Sequence, residues 1–165
     1  MKTQKLFTGI IIFLLLLYSC KQQVTSTSTL VDMANRKFEA MNQHDSNAIA
    51  KLYADSAKIQ SPNFDKPETG PAGIRSIYNR YFTSTPDMVY TITRILPGDS
   101  SVTVEYTFAG TMQHLEDSGP KYMLGKYYKL KACSVLEIRN GMIVSDVSYF
   151  DQVAFLKQVG FFDQH

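Results

Sequence analysis

Apolar residues recur at helical spacing near the start of "LVDMANRKFEAMNQH". Leu30, Met33, Ala34, Phe38 and Met41 share one stripe and predict a helix from Leu30 to His44. Asp45 stands where an N-cap belongs, ahead of a second helix with Ile49, Leu52 and Tyr53 on its apolar side. The short run "AKIQS" (Ala57 to Ser61) predicts a strand before a loop rich in Pro, Asn, Asp and Gly. Pro71 to Thr83 predicts a third helix, its apolar face made by Ile74, Ile77, Tyr78, Tyr81 and Phe82. From Met88 onward the spacing changes to a period of two. Strands are expected over Met88 to Leu96, Val102 to Met112, Tyr122 to Arg139 and Met142 to Phe150. Asn140-Gly141, between two alternating runs, is the strongest hairpin signal in the chain. Helices first and long antiparallel strands afterwards argue an α+β fold, with the helices packed on one face of a curved sheet.

The last strand runs straight into "FDQVAFLKQVG", and Asp151 there has two readings. As an N-cap it is worth about 1 kcal/mol over Ala. Phe150 and Phe155 then hold the positions of a hydrophobic staple, and a helix over Gln152 to Val159 ends at Gly160, a usual residue just past a helix end. Strand residues also alternate faces, so Val147, Tyr149 and Asp151 share one side of the sheet. A carboxylate desolvated there by Tyr149 and apolar neighbours would titrate near neutral pH. A cap and a pocket acid are compatible.

Composition changes the picture mainly at the N-terminus. Lys2 and Lys5 precede the uncharged "LFTGIIIFLLLLYS" (Leu6 to Ser19), which is too short to span a bilayer comfortably and has the layout of a secretory signal. Leu17-Tyr18-Ser19-Cys20 resembles the lipobox of bacterial lipoproteins, which implies cleavage before Cys20 and acylation of that residue. An uncleaved anchor, or an ordinary signal with a chance cysteine, is the alternative. Two or more acyl chains would hold the domain on a lipid bilayer through Cys20, and Lys21 resembles the residue that follows in outer-membrane lipoproteins of the cell envelope. The organisation expected is therefore a signal over residues 1–19, a lipidated cysteine and Ser/Thr-rich tether over 20–29, and one domain over 30–165. Of 17 Lys and Arg, Lys2 and Lys5 fall in the signal and none of the 15 Asp and Glu does, so cleavage leaves 15 of each. A net-neutral domain gives no reason to expect nucleic acid. Cys133 would be the one free thiol, in the apolar run "KACSVLEI", and reads as an inert buried residue.

From "KFEAMNQHDSNAIAKLYADSAKIQSP" through "GPAGIRSIYNRYFTSTPDMVYTITRIL" and "VTVEYTFAGT" to "VLEIRNGMIVSDVSYFDQVAFLKQVG", the chain resembles the SnoaL-like branch of the nuclear transport factor 2-like superfamily. Pro86-Asp87 before the first long strand, Asn140-Gly141 and Asp151 followed by "FLKQVG" carry it most specifically. The resemblance implies a cone-shaped fold, a curved antiparallel sheet packed against three helices around a pocket, and a homodimer formed through the sheet. It places the side bearing Tyr149 and Asp151 toward the pocket and implies Asp151 as general acid/base in a cyclase, isomerase or dehydratase acting on a carbonyl substrate. Family cyclases pair that acid with a second polar group, often His or Arg. The neighbouring strand brings Ser134, Glu137 and Arg139 here, and no His. Fold alone does not decide among these functions.

The remaining chemistry favours binding. With 10 Tyr and 10 Phe but no Trp, the chain has tyrosines on most of its apolar faces, and Tyr53, Tyr106 and Tyr149 are the candidate pocket residues. Hydroxyls converging on one cavity suit a small, hydrophobic or amphipathic organic ligand; ordinary core packing explains them equally. His114, after "GTMQ", reads either as a loop residue or as part of the pocket mouth. "KYMLGKYYKLK" (Lys121 to Lys131) reads as a solvated edge or as a contact for anionic headgroups. His44 reads as a surface residue at a helix end. No metal-ligand spacing, glycine-rich phosphate loop or other cofactor motif is present.

Overall fold

The computed structural model describes residues 25–115 and 119–164; the apolar segment, Cys20 and the start of the tether lie outside the described residues. Helix α1 spans Thr27–Asn42, starting inside the stretch expected to be tether because Ser26 caps it, its Oγ accepting from the Thr29 N–H at 3.2 Å. The chain turns out of α1 at His44, whose φ is 53°. The His44 ring stacks on Phe82 at 4.5 Å and bonds the Met88 carbonyl at 2.8 Å, so it is a packed residue, not a free surface one. Helix α2 (Ser46–Ala50) is capped by Asp45 through the Ala48 N–H at 2.8 Å. It is shorter than its apolar spacing suggested, because Tyr53 already begins strand β1 (Tyr53–Gln60). Strand β2 (Glu68–Thr69), helix α3 (Gly70–Ser84), β3 (Val89–Pro97), β4 (Ser101–Thr111), β5 (Tyr127–Arg139), β6 (Met142–Phe150) and helix α4 (Gln152–Gln158) follow, with short 3₁₀ turns at Lys121–Met123 and Phe161–Gln164.

The six strands form one curved sheet in the order β2-β1-β6-β5-β4-β3. Its pairs are antiparallel except β1 with β6, so the sheet is mixed, not wholly antiparallel. A parallel neighbour needs a long crossover, and here everything between β1 and β6 supplies it. The β5–β6 turn takes the positive-φ path of the Asn-Gly signal, with Asn140 at 52° and Gly141 at 72°.

A bulge in β6 sets which side chains face the core. Ile138 pairs with Ile143 and Glu137 with Ser145, which leaves Val144 as an extra residue. Strict alternation from the buried Ile143 would turn Val147, Tyr149 and Asp151 inward. The extra residue shifts the phase, so Asp146, Ser148 and Phe150 face inward and Tyr149 is 58% exposed. Cys133, paired with Tyr149 across the outer face, is half-buried and not a core thiol.

Around the inward Asp146 the core contains ions. Lys37, on the same helical row as Met33 and Met41, is 1% exposed and donates to Asp146 Oδ2 at 2.7 Å, while Asp146 is 0% exposed. Tyr53, at the start of β1, donates to the same oxygen at 2.5 Å. One contact thus joins α1, β1 and β6. Leu30, Val102, Leu136 and Ile138, in the same core, have no exposed surface.

Asp151 is an exposed N-cap of α4, its Oδ1 accepting from the Ala154 N–H at 2.9 Å, and Gly160 follows the helix at φ 84°. Replacing it with Ala is expected to lower stability by about 1 kcal/mol, with Asn nearly neutral because its side chain caps as well; urea melts check this. Lys37→Met, which strands a buried carboxylate, is expected to cost about 3–5 kcal/mol. Adding Asp146→Leu to Lys37→Met should restore most of that loss, and a double variant no more stable than the single one would show that the pair is not the cause.

Candidate functional site

Toward the other end of the sheet the inward side chains become large and aromatic, and they do not close on one another. A cavity of about 500 Å³ remains between the sheet, α3 and the segment following β4. Its wall is a ring cluster centred on Phe108. That side chain meets Tyr90 at 6.2 Å, Tyr106 at 6.2 Å, Tyr128 at 6.1 Å and Phe150 at 5.6 Å, so four strands support one another around the opening. Mutual edge and offset contacts of this kind hold rings in place beyond what area burial provides. Helix α3 adds Tyr78 and Tyr81, and Met41, Met88 and Met112 fill between rings.

Five tyrosines line this space, Tyr78, Tyr81, Tyr90, Tyr106 and Tyr128, and four of their hydroxyls are held by different partners. Tyr128 shares a 2.9 Å bond with Thr85 Oγ1. Gly110 makes that bond accessible, since a Cβ there would stand 2.3 Å from Thr85 Cγ2. Burial, partly offset by Thr85, pushes Tyr128 up to about 12. Tyr106 accepts from Ser134 Oγ at 3.3 Å, and Ser134 in turn lies 2.7 Å from Ser148 Oγ. Tyr78 points at Met41 Sδ, 3.9 Å away. Tyr81 receives a 3.4 Å bond from Asn63. Burial is the largest cause that raises Tyr78, Tyr81, Tyr90 and Tyr106 above the ordinary phenol value, so all five stay neutral at physiological pH. At the rim, the Arg80 guanidinium lies over the Phe64 and Tyr81 rings at 5.4 and 5.9 Å. The exposed His114 also lines the cavity, its backbone N–H donating to the Ser84 carbonyl at 3.2 Å.

Of the residues singled out in the sequence, Tyr106 and His114 line the cavity. Tyr53 does not; it is buried one layer below, against Asp146, where burial first and the carboxylate second push its hydroxyl well up. Tyr149 and Asp151 lie outside the cavity, on the opposite side of the phase shift caused by Val144. Among the described residues, no Asp or Glu lines the cavity. Acid/base chemistry through Asp151 therefore has no geometric support.

Sequence reasoning missed Lys37, Asp146 and Ser148. Lys37 and Asp146 left a trace, a cation within an apolar helical stripe and an anion between Val144 and Val147 in an apolar strand. Ser148 left none, because its inward direction depends on the bulge. Asp146 precedes Ser148 by one inward position, so the ion pair sits directly beyond the polar end of the cavity. Asp146 Oδ1 is buried without a hydrogen-bond partner among the described residues.

The fold is shared with solved structures of low sequence similarity. IdmH from Streptomyces antibioticus, a candidate polyketide cyclase, superposes with a TM-score of 0.66 at 23% identity, over 79% of this chain and 97% of that one. A Mycobacterium tuberculosis epoxide hydrolase gives 0.64 at 19%, over 81% and 90%. A protein of ketosteroid isomerase-like fold from Catenulispora acidiphila, in complex with trimethylamine, gives 0.66 at 20%, over 78% and 92%. No curated protein matches the sequence. The model of the SnoaL-like domain matches residues 34–146, from the middle of α1 to the buried Asp146, and this chain belongs to that family.

Proposed function

We propose that this domain binds a small, mostly apolar organic molecule in its aromatic cavity, and that it works as a binding module. The observation that carries this reading is the cavity itself: about 500 Å³, walled by rings that brace one another, with hydroxyls spaced among them. Ligand sites have this size and this mixture of apolar wall and few polar groups. Its tyrosines are held neutral, which suits hydrogen bonding to uncharged oxygens and leaves them poor bases near pH 7. Cyclases, isomerases and hydrolases share the fold, and a reaction of that kind needs a proton acceptor in contact with the substrate; no described carboxylate reaches this space, where His114 is the one imidazole, exposed to solvent.

The binding test uses the dye 8-anilinonaphthalene-1-sulfonate, whose emission rises in apolar sites. The wild-type domain is expected to bind it saturably. Ser84→Phe, which puts a ring into the space the dye would occupy, should weaken binding about tenfold or more, a loss of about 1.4 kcal/mol or more. Equal affinity in the two proteins, or no saturable binding in the wild type, would end the proposal.

We also propose attachment to the cell envelope through a lipidated Cys20, supported by the charged start, the apolar run and the small residue ahead of that cysteine. Mass spectrometry of the protein from its native membrane fraction is expected to find an N-terminal diacylglyceryl cysteine. An unmodified peptide containing Cys20 would overturn this.

A further inference from the structure

Charge is distributed unevenly around the cavity. Of the described residues that line it, Arg80 is the one with a permanent charge. The buried wall is uncharged and includes Tyr90, Tyr106 and Tyr128. The open end carries Arg80 and His114, both exposed. The last turn of α3 brings these two to one rim. Arg80 stands one turn before Ser84 on that helix, and the Ser84 carbonyl accepts the backbone N–H groups of Gln113 at 2.8 Å and His114 at 3.2 Å. The segment after β4 is thereby tied to the helix that carries Arg80.

Rings hold the Arg80 guanidinium in place. Phe64 and Tyr81 stack on one another at 6.3 Å, 17° from parallel, and the guanidinium carbon lies over both, at 5.4 and 5.9 Å. A guanidinium on aromatic rings is engaged through its face, while its five N–H donors lie along its edge. The Tyr81 hydroxyl is within reach of its charge: burial raises that hydroxyl most, and Asn63, Ser61 and Arg80 pull it back. Five donors in a rigid fork serve more than one acceptor, and the fork matches the two oxygens of a carboxylate. The His114 imidazole offers a further N–H in either neutral tautomer.

Ligands of different charge meet this arrangement differently. A cation would meet Arg80 as a like charge, and a neutral molecule would gain only a dipolar contact at the mouth. An amphipathic anion gains at both ends. Its apolar body enters among the rings, while its head stays at the exposed mouth, partly hydrated, and escapes the cost of burying a charge. We propose that the bound molecule is a small carboxylate with an apolar body, and that Arg80 is the specificity-determining residue. The carboxylate pairs with Arg80 at the mouth, His114 adds a donor on the same rim, and Phe108 and Phe150 contact the body. The proposal rests on the binding reading above and adds the charge of the ligand and the residue that reads it.

The test compares 2-naphthoate with 2-naphthamide, which share ring and shape and differ in charge. Isothermal titration at low salt is expected to show the carboxylate binding the wild type about tenfold more tightly, the usual worth of a hydrogen bond to a charged group. Arg80→Gln should reduce that ratio to near unity while leaving the amide's affinity in place. Arg75→Gln, which removes the same charge from the same helix outside the cavity, should keep the full ratio. A second measurement needs no variant. Raising sodium chloride from about 0.05 M to about 0.5 M should lower the wild-type ratio at least about twofold, because salt screens a charge pair at an exposed mouth. Equal affinity of the two probes for the wild type, or a ratio that Arg80→Gln or salt leaves unchanged, would overturn the carboxylate proposal and leave the binding module standing. Saturable binding of the anilinonaphthalene dye with neither probe bound would do the same. Failure of the dye and both probes to bind the wild type would overturn both.

Discussion

A lysine and an aspartate, each almost without solvent contact, meet at 2.7 Å in the middle of this domain, and a tyrosine hydroxyl closes on the same carboxylate oxygen. Ions removed from water must be paired and hydrogen-bonded to be tolerated. That requirement constrains geometry far more strictly than an apolar contact does: α1 can neither slide nor rotate without separating Lys37 from Asp146, and β6 cannot shift register by one residue without turning Asp146 outward. The pair need not add net stability relative to a hydrophobic alternative. Its consequence is a single arrangement of helix, central strand and first strand, from which the rest of the interior is built.

The interior on either side of that pair differs in kind. Branched aliphatic residues and leucines, among them Leu30, Val102, Leu136 and Ile138, are wholly buried. Toward the cavity, β3, β4, β5 and β6 contribute Tyr90, Tyr106, Phe108, Tyr128 and Phe150, and a cavity remains between them and α3. Around Phe108 the Tyr128 and Phe150 rings meet it edge-on and the Tyr90 ring is stacked, contacts that hold rings in place beyond what area burial provides. The polar groups fall between these two regions, where Ser134, Ser148 and Tyr106 form a hydroxyl relay on three adjacent strands.

Along β6 the local pattern and the tertiary structure diverge. Apolar alternation, the Asn-Gly turn and the cap at Asp151 were all legible, and the strand runs from Met142 to Phe150 as its pattern predicts. Direction was not. One extra residue at Val144 leaves the composition of the strand unchanged while it exchanges the two faces, sending Tyr149 and Asp151 to solvent and bringing Asp146 and Ser148 inside. A bulge costs little locally and is chosen by what the inward residues meet across the core, in this case Lys37 from a helix 109 positions away. Tyr53 was misplaced for a similar reason. Its apolar neighbours suggested a wall position, but its hydroxyl is drawn to the buried carboxylate, away from the cavity.

From the order of its residues alone, this protein's α+β class was determined, together with most element boundaries within a few positions, the caps at Asp45 and Asp151, and membership of a fold family whose members carry a pocket. These features follow from interactions over a few residues, or from a period repeated along a segment, and such interactions are written in the chain directly. Which side chains enter the pocket and which carboxylate is buried were decided only by tertiary structure. Each of those outcomes depends on partners far apart in the chain and on the phase of a strand that local pattern cannot count across a bulge.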